Sequence, residues 1–167
     1  MTKKPAVFLD RDGTLNRDTD YTHRLDDLEM IPGAAQAVAH FSNAGYWVII
    51  LTNQSGLARG YFSTAAFEEF NEALLAQIAL EAGNVDGLYF CPHHPDFTGP
   101  CDCRKPGIGM IDQARADFDI DMANSILIGD RKSDVEAAAN AGLPGYLFVG
   151  SNLLEFCKDA GLIKNHD

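Results

Sequence analysis

Short apolar runs rich in β-branched residues alternate with helical patterns along this chain, and this alternation most constrains its fold. Strands are predicted at 5–9, 46–51, 86–90, 125–128 and 146–149. Helices are predicted at 32–45, 64–82, with Ser63 as N-cap, 108–118, 134–140 and beyond Ser151. Such alternation indicates a parallel sheet with helices on both faces. We therefore expect a three-layer, Rossmann-like α/β fold, in which ligands bind beyond the carboxyl ends of the strands.

Length and charge exclude several classes of protein. The 167 residues suit one domain over residues 1–167, and the net charge of −11 argues against nucleic acid as a partner. No apolar run approaches the ~20 residues of a membrane span, and the run after Lys4 is too short for a signal peptide. We expect a cytoplasmic protein that binds no membrane, and a monomer, since no apolar helix face stands out. In that compartment cysteines are expected as metal ligands or inert thiols rather than disulfides.

Three aspartates follow predicted strands. Asp10 and Asp12 come after the first strand, and Asp130 follows the fourth. Converging carboxylates repel one another unless a hard cation lies among them, and Mg²⁺ prefers such oxygen ligands. Gly13 permits a sharp turn that brings backbone N–H groups toward an anion. A polar turn without function explains the Asp-x-Asp-Gly segment equally well when that segment is taken alone.

Groups suited to a phosphate follow other strands. Thr52 and Asn53 close the second strand and offer a hydroxyl and backbone donors, and Lys105 supplies a positive charge. With these groups, a phosphate site becomes the favoured interpretation. In this order, Asp10-x-Asp12-Gly13-Thr14, Thr52, Lys105 and Gly129-Asp130-x-x-x-Asp134 resemble the four motifs of the haloacid dehalogenase-like phosphohydrolases.

The resemblance implies a role for each catalytic group. Asp10 attacks phosphorus and becomes an aspartyl phosphate. Asp12 protonates the leaving oxygen and later activates water. Thr52 and Lys105 hold the phosphoryl oxygens in the transition state.

The same resemblance implies a magnesium site. Its ligands are the Asp10 carboxylate, the Asp12 backbone carbonyl and the Asp130 carboxylate. Asp134 can be interpreted equally as a carboxylate outside this site or as the N-cap of the following helix.

A loop at 91–103 concentrates soft metal ligands. Cys91, Cys101 and Cys103 with one histidine make a tetrahedral set typical of structural Zn²⁺. The Cys-x-His spacing favours His93 over His94, and incidental thiols in a polar loop are the alternative. Cys157 lies apart in an apolar helix and is expected to be buried.

The zinc site has an expected purpose. Cys103 directly precedes Arg104 and Lys105, so fixing the cysteine would fix two cations. We therefore expect Zn²⁺ to organise a substrate-binding loop and to take no part in the chemistry.

The chain leaves little room for the cap domains of haloacid dehalogenase-like enzymes, since few residues separate Thr14 from Pro32. Segments 8–16, 52–60 and 91–106 resemble the D-glycero-D-manno-heptose 1,7-bisphosphate 7-phosphatase family. This family acts in nucleotide-activated heptose synthesis for lipopolysaccharide. The resemblance implies a small sugar bisphosphate as substrate, with Arg104 on the distal phosphate. The implied contacts are Asp18, Thr19, Asp20, Tyr21, Thr52, Asn53, Gln54, Ser55, Arg104 and Lys105.

Several alternatives stay open. The histidinol-phosphate phosphatase branch is similar in its catalytic motifs and cysteine loop, while the acidic charge disfavours the polynucleotide 3′-phosphatase branch. A non-catalytic, zinc-stabilised binding module is the alternative of another class. The preferred anomer is open, and His23, Arg24 and Arg59 are equally explained as substrate contacts or as solvated loop residues.

Overall fold

The computed structural model describes residues 2–164, and its centre is a parallel sheet of five strands in the order β3-β2-β1-β4-β5. The predicted α/β class is confirmed. The strands are β1 (Ala6–Leu9), β2 (Trp47–Asn53), β3 (Gly87–Cys91), β4 (Ile126–Gly129) and β5 (Gly145–Leu147). Strand β2 continues two residues beyond its predicted end, because Thr52 and Asn53 pair with Phe90 and Cys91 of β3.

Seven helices connect and cover the strands of the described chain. They are α1 (Ala34–Asn43), α2 (Ser55–Ala58), α3 (Thr64–Leu80), α4 (Pro95–Thr98), α5 (Gly109–Asp117), α6 (Lys132–Asn140) and α7 (Leu153–Asp159). Ser63 is the N-cap of α3, as predicted, and its Oγ accepts a hydrogen bond from Ala66 N at 3.1 Å. Helix α1 begins at Ala34 because Gly33 has a left-handed φ of 77°. Helices α2 and α4 were not predicted, since four residues show no helical period.

Each face of the sheet has its own apolar core. Along β1, Val7 and Leu9 face one core, while Ala6 and Phe8 face the other. Residues two apart share a face of a strand, so a fully apolar strand can supply both layers. The first core includes residues of α1, α3 and α7, and the second includes residues of α5. This arrangement is the predicted three-layer packing.

The order of the strands places a crevice at the carboxyl ends of β1 and β4. Connections from β1 lead to β2 and β3 on one side, and β4 and β5 lie on the other side. Asp10 follows β1 and Asp130 follows β4, so both flank this switch point. Among residues 2–164, only a 3-10 turn at Leu25–Asp27 lies between β1 and α1, and β2 continues through α2 into α3. The expected absence of a large cap domain therefore holds for the described chain. None of its helices is long and apolar enough to cross a bilayer.

Candidate active site

A cleft of about 300 Å³ lies over the carboxyl ends of the strands and contains most of the predicted site residues. Its lining includes Asp10, Asp12, Asp18, Asp20, Tyr21, Asn53, Gln54, Ser55, Arg104 and Lys105. Thr19, Thr52 and Asp130 are not part of the lining. Thr19 Oγ1 lies 3.1 Å from Thr22 Oγ1, and the Thr52 hydroxyl accepts a hydrogen bond from Gln54 Nε2 at 2.8 Å.

Lys105 forms the centre of a buried ion network. Its Nζ lies 2.9 Å from Asp10 Oδ1 and 2.6 Å from Asp134 Oδ1, and it donates to Leu51 O at 2.7 Å. Burial disfavours the charged lysine, but the two carboxylates outweigh it and raise the pKa of Lys105 above its usual value. Burial also raises the pKa of Asp10, and the attraction of Lys105 opposes that rise. The lysine therefore carries a fixed charge next to the predicted nucleophile.

The carboxylates of Asp10, Asp130 and Asp134 form a group that could hold a metal ion. Their ligand oxygens lie within 4.8 Å of one another. Asp130 Oδ1 is buried without a hydrogen-bond partner among residues 2–164. Burial, and then the hydrogen bond and repulsion from Asp10, raise the pKa of Asp130 to about 7. An unpaired carboxylate oxygen in such a cluster is the kind of ligand that Mg²⁺ prefers, so the residues present fit the predicted ion.

Two glycines make room for these carboxylates. Gly13 has a φ of 88°, and a Cβ built there would overlap the carboxylate of Asp130. A Cβ on Gly129 would overlap the carboxylate of Asp134 in the same way. Both glycines of the motifs therefore permit a close approach of backbone and carboxylate.

Asp134 has two contacts that decide between its alternative interpretations. It is residue N3 of α6, so its prediction as the N-cap is wrong, and the N-cap is Arg131. Asp134 Oδ2 accepts a hydrogen bond from Arg131 N at 3.0 Å, while Oδ1 contacts Lys105. One buried carboxylate thus stabilises the start of α6 and positions Lys105.

The substrate-binding residues expected near 18–21 and 52–55 have structural partners of their own. Asp18 Oδ2 pairs with Arg131 Nη2 at 2.9 Å. The side chain of Asn53 bonds the backbone of Lys105 twice, at 2.9 Å to its N–H and at 3.2 Å to its carbonyl. Asn53 therefore restrains Lys105 independently of the cysteine loop, so that loop is not alone in placing the cation.

Further cations line the cleft. Arg131 was not predicted as a site residue, although a cation directly after a strand-end aspartate was a signal for it. The guanidinium of Arg59 lies over the rings of Phe97 at 4.8 Å and Tyr21 at 5.6 Å. Arg104 has no hydrogen-bond or ion-pair partner for its side chain within residues 2–164. His23 stacks on a phenylalanine ring instead, and Arg24 is an exposed residue near Asp26.

The structure of the cysteine loop agrees only in part with the prediction. The sulfur of Cys101 lies 3.6 Å from Cys91 Sγ and 3.7 Å from Cys103 Sγ, so the three cysteines converge as predicted. Cys91 and Cys103 are joined as a disulfide, which contradicts the expectation of no disulfides. The close convergence of three sulfurs permits either a bond between two of them or a shared ion. Cys157 is buried as predicted, and burial raises its pKa to about 12.

Neither histidine of this loop joins the group of three sulfurs. His94 is the N-cap of α4, and its Nδ1 accepts a hydrogen bond from Asp96 N at 3.1 Å. His93, the predicted fourth ligand, is partly buried and lies outside the group.

Comparison with known proteins places these features in context. The family model described as HAD-hydrolase-like matches residues 102–151. A Thermoplasma acidophilum protein named "Probable D-glycero-D-manno-heptose-1,7-bisphosphate 7-phosphatase" is 48% identical over 83% of this chain and 86% of its own. The Haemophilus ducreyi D-glycero-beta-D-manno-heptose-1,7-bisphosphate 7-phosphatase is 46% identical over 87% of this chain and 83% of its own. The crystal structure of D,D-heptose 1,7-bisphosphate phosphatase from B. bronchiseptica, complexed with magnesium and phosphate, is similar with a TM-score of 0.81. It is 36% identical and covers 96% of this chain and 88% of its own.

Proposed function

Because the chain belongs to the D-glycero-D-manno-heptose-1,7-bisphosphate 7-phosphatase family of haloacid dehalogenase-like hydrolases, we propose that it removes the 7-phosphate from this bisphosphate. The reaction serves the synthesis of nucleotide-activated heptose for lipopolysaccharide, and we place it in the cytoplasm. One observation supports it most strongly: the buried Lys105 ammonium lies 2.9 Å from Asp10 Oδ1 in a cleft that Asp12 also lines. At this distance the carboxylate can attack a phosphoryl group while the fixed cation neutralises the phosphoryl oxygens.

The proposed steps use residues of this chain. Asp10 attacks phosphorus, and the sugar oxygen leaves with a proton from Asp12. Asp12 then takes a proton from the water that hydrolyses the aspartyl phosphate. Lys105 and the Thr52 hydroxyl hold phosphoryl oxygens, and Thr52 exchanges its contact with Gln54 for this role. Asp10→Asn should abolish turnover and leave the fold intact, since amide and carboxylate have the same shape.

Magnesium fits the carboxylates described above. Asp10 and Asp130, with the Asp12 backbone carbonyl, would hold it, and Asp134 remains with Lys105. When bound, Mg²⁺ supplies positive charge that offsets repulsion between the nucleophile and an anionic substrate.

The distal phosphate is proposed to bind Arg104. Its guanidinium lines the cleft without a partner in residues 2–164, and a planar fork suits a phosphate that is bound but not transferred. Ser55 and, from the 18–21 segment, Asp18, Asp20 and Tyr21 are proposed to contact the sugar.

A substrate comparison tests this proposal. We expect kcat/KM for either anomer of the heptose bisphosphate to exceed that for histidinol phosphate in the presence of Mg²⁺. Arg104→Met should lower kcat/KM for the bisphosphate by about 10- to 100-fold, as for a charged hydrogen bond, and leave that for heptose 7-phosphate nearly unchanged. The matched control is Arg115→Met, which removes an exposed arginine paired with Asp112 on α5. A clear preference for histidinol phosphate would refute the substrate and leave the chemistry in place.

We also propose that the reduced cysteine loop holds structural Zn²⁺ through Cys91, Cys101, Cys103 and His93. The distances from Cys101 Sγ to the other sulfurs, 3.6 and 3.7 Å, are close to the edge of about 3.8 Å expected for a tetrahedron with Zn–S bonds near 2.3 Å. His93 is favoured for the fourth position because His94 Nδ1 is engaged in capping α4.

Metal analysis and thiol titration test the zinc site. Protein purified under reducing conditions should contain one zinc per chain, and Cys101→Ser should lose it together with part of its activity. A zinc-free protein that keeps a Cys91–Cys103 disulfide and full activity under those conditions would refute the proposal. Gel filtration of the same samples tests the proposed monomer.

A further inference from the structure

Arg11 is a charged residue buried completely beside the reacting groups. Its side chain is fully inaccessible to solvent, although it lies between Asp10 and Asp12 in the sequence. Burying an unpaired charge costs many kcal/mol, so a buried arginine persists only where its donors are used. Its partners therefore indicate its purpose.

Every nitrogen of the Arg11 guanidinium donates at least one hydrogen bond. Nε and Nη2 donate to the two oxygens of Asp12 at 2.9 and 3.1 Å. Nη1 donates to Asn71 Oδ1 at 2.8 Å, and Nη2 also donates to Thr22 O at 2.8 Å. The guanidinium carbon lies 4.6 Å from the ring centre of Phe70, which packs against it. Phe70 and Asn71 belong to α3, so this helix orients the plane of the guanidinium that binds Asp12.

Asp12 receives donors at both of its oxygens. Oδ1 accepts from Arg11 Nε and from Asn16 Nδ2 at 3.0 Å. Oδ2 accepts from Arg11 Nη2 and from Gln54 Nε2 at 3.1 Å. Among these donors, only the arginine contacts both oxygens, so a single planar group aligns with the plane of the carboxyl group. Asn16 and Gln54 each hold a single oxygen and come from two separate segments of the chain.

We infer that Arg11, supported by Asn71 and Phe70, is a positioning residue that fixes the orientation of the Asp12 carboxyl group toward the leaving oxygen. The inference rests on the proposed function, in which Asp12 transfers a proton to that oxygen. A bidentate guanidinium–carboxylate pair has a defined plane, whereas a lysine would provide a point charge. A displacement of about 1 Å in such a group can reduce a rate by ~100-fold. Arg11 itself touches neither the substrate nor the metal site.

The leaving group distinguishes this role from a purely structural one. An alkyl phosphate needs a proton on its leaving oxygen, whereas nitrophenolate from 4-nitrophenyl phosphate and acetate from acetyl phosphate leave without one. Loss of Asp12 orientation should therefore reduce kcat/KM for heptose bisphosphate and spare the activated phosphates. The ratio of the two kcat/KM values does not depend on the folded fraction of a sample, since both are measured on the same protein.

The experiment measures this ratio for Arg11→Lys, Arg11→Met and Asn71→Ala. We expect the ratio to fall by about 100-fold for the Arg11 variants, within the range of general acid catalysis, and by about 10-fold for Asn71→Ala. Arg11→Lys keeps the buried charge and protects the fold if Arg11→Met fails to fold, and Asn71→Ala leaves Arg11 in place. The control Arg17→Met removes an exposed arginine paired with Glu29 at 3.2 Å and should leave the ratio unchanged.

Asp12→Asn separates failure of this inference from failure of the proposed function. A selective loss for Asp12→Asn without one for the Arg11 and Asn71 variants would overturn the role of Arg11 alone. An equal loss on both kinds of substrate in those variants would also overturn it, because it indicates a structural role. Wild-type protein without phosphatase activity, or Asp12→Asn with an unchanged ratio, would overturn the proposed function.

Discussion

Replacement of Lys105 by Met tests whether the ion network at the centre of the cleft is held together by its cation. Methionine keeps most of the length of the side chain and removes a charge that contacts Asp10, Asp134 and Leu51 O at 2.9, 2.6 and 2.7 Å. Removal of one partner from a buried ion pair costs about 3–5 kcal/mol, because the other charge is left uncompensated. Here two carboxylates are left, so we expect a destabilisation near the upper end, about 5 kcal/mol.

The destabilisation should depend on pH. Burial and the repulsion from Asp134 raise the folded-state pKa of Asp10, and loss of the lysine removes the attraction that opposes this rise. The folded variant then binds more protons than the unfolded chain, so its stability is greatest at low pH and is lost as the pH rises. We expect the difference from wild type to be larger at pH 8 than at pH 5, and Mg²⁺ to restore part of it at pH 8.

Urea unfolding followed by circular dichroism measures this effect, with and without EDTA. With a slope near 2 kcal/mol per M, the midpoint should fall by roughly 2.5 M at pH 8. The matched control is Lys132→Met, since Lys132 is 89% exposed and pairs with Glu136 within α6. The control should lose no more than about 0.5 kcal/mol. A loss for Lys105→Met as small as that of the control, or one independent of pH, would refute the reasoning.

Three further predictions concern single positions. Because burial and Asp10 raise the pKa of Asp130 to about 7 from an ordinary 3.8, the metal-free protein should lose stability as the pH rises from 5 through 7, and Mg²⁺ should remove this dependence. Thermal unfolding in EDTA and in Mg²⁺ checks it, and a constant Tm in EDTA would contradict it. Gly13→Ala should weaken Mg²⁺ binding by about 10-fold through displacement of Asp130. The control Gly45→Ala has the same φ of 88° and nothing within 4 Å of its Cβ, so it should show backbone strain alone. Mg²⁺ activation curves of both variants measure the difference in Mg²⁺ binding. Cys157, whose pKa burial raises to about 12, should not react with a thiol reagent at pH 8 until the protein is denatured, and early labelling at Cys157 would contradict its burial.

The sequence predicted the catalytic carboxylates because their placement depends on topology. Asp10 and Asp130 directly follow buried strands, and parallel strands bring their carboxyl ends to one edge of the sheet whatever the details of packing. Lys105 was predicted as a positive charge for the phosphate, but its position was not predicted, since a loop of irregular structure offers no period from which that position follows. Its actual restraint by Asn53 depends on two hydrogen bonds across 52 residues. Such contacts have no local signal.

Arg11 shows what could not be predicted from local pattern. An arginine between two aspartates is typical of an exposed turn, and only the fold reveals that α3 covers it. The partial signal was a polar Asn71 next to Phe70 within a helix otherwise expected to bury apolar residues. A buried asparagine needs a partner, and the nearby buried charge is that partner.

The cations of the cleft explain how a chain of net charge −11 can bind an anion. Lys105 is neutralised by two carboxylates, and Arg131 is paired with Asp18. Arg59 and Arg104 have no acidic partner within residues 2–164, so their charge is available to a substrate. Neither arginine neutralises the group of Asp10, Asp130 and Asp134, whose negative charge would repel the reacting phosphate. A phosphate ester can therefore be attracted by the arginines at its distal end, while its reacting end requires a divalent cation to offset the carboxylates. It follows that Mg²⁺ should lower KM as well as raise kcat, and that the effect on KM should be larger for a monophosphate than for a bisphosphate.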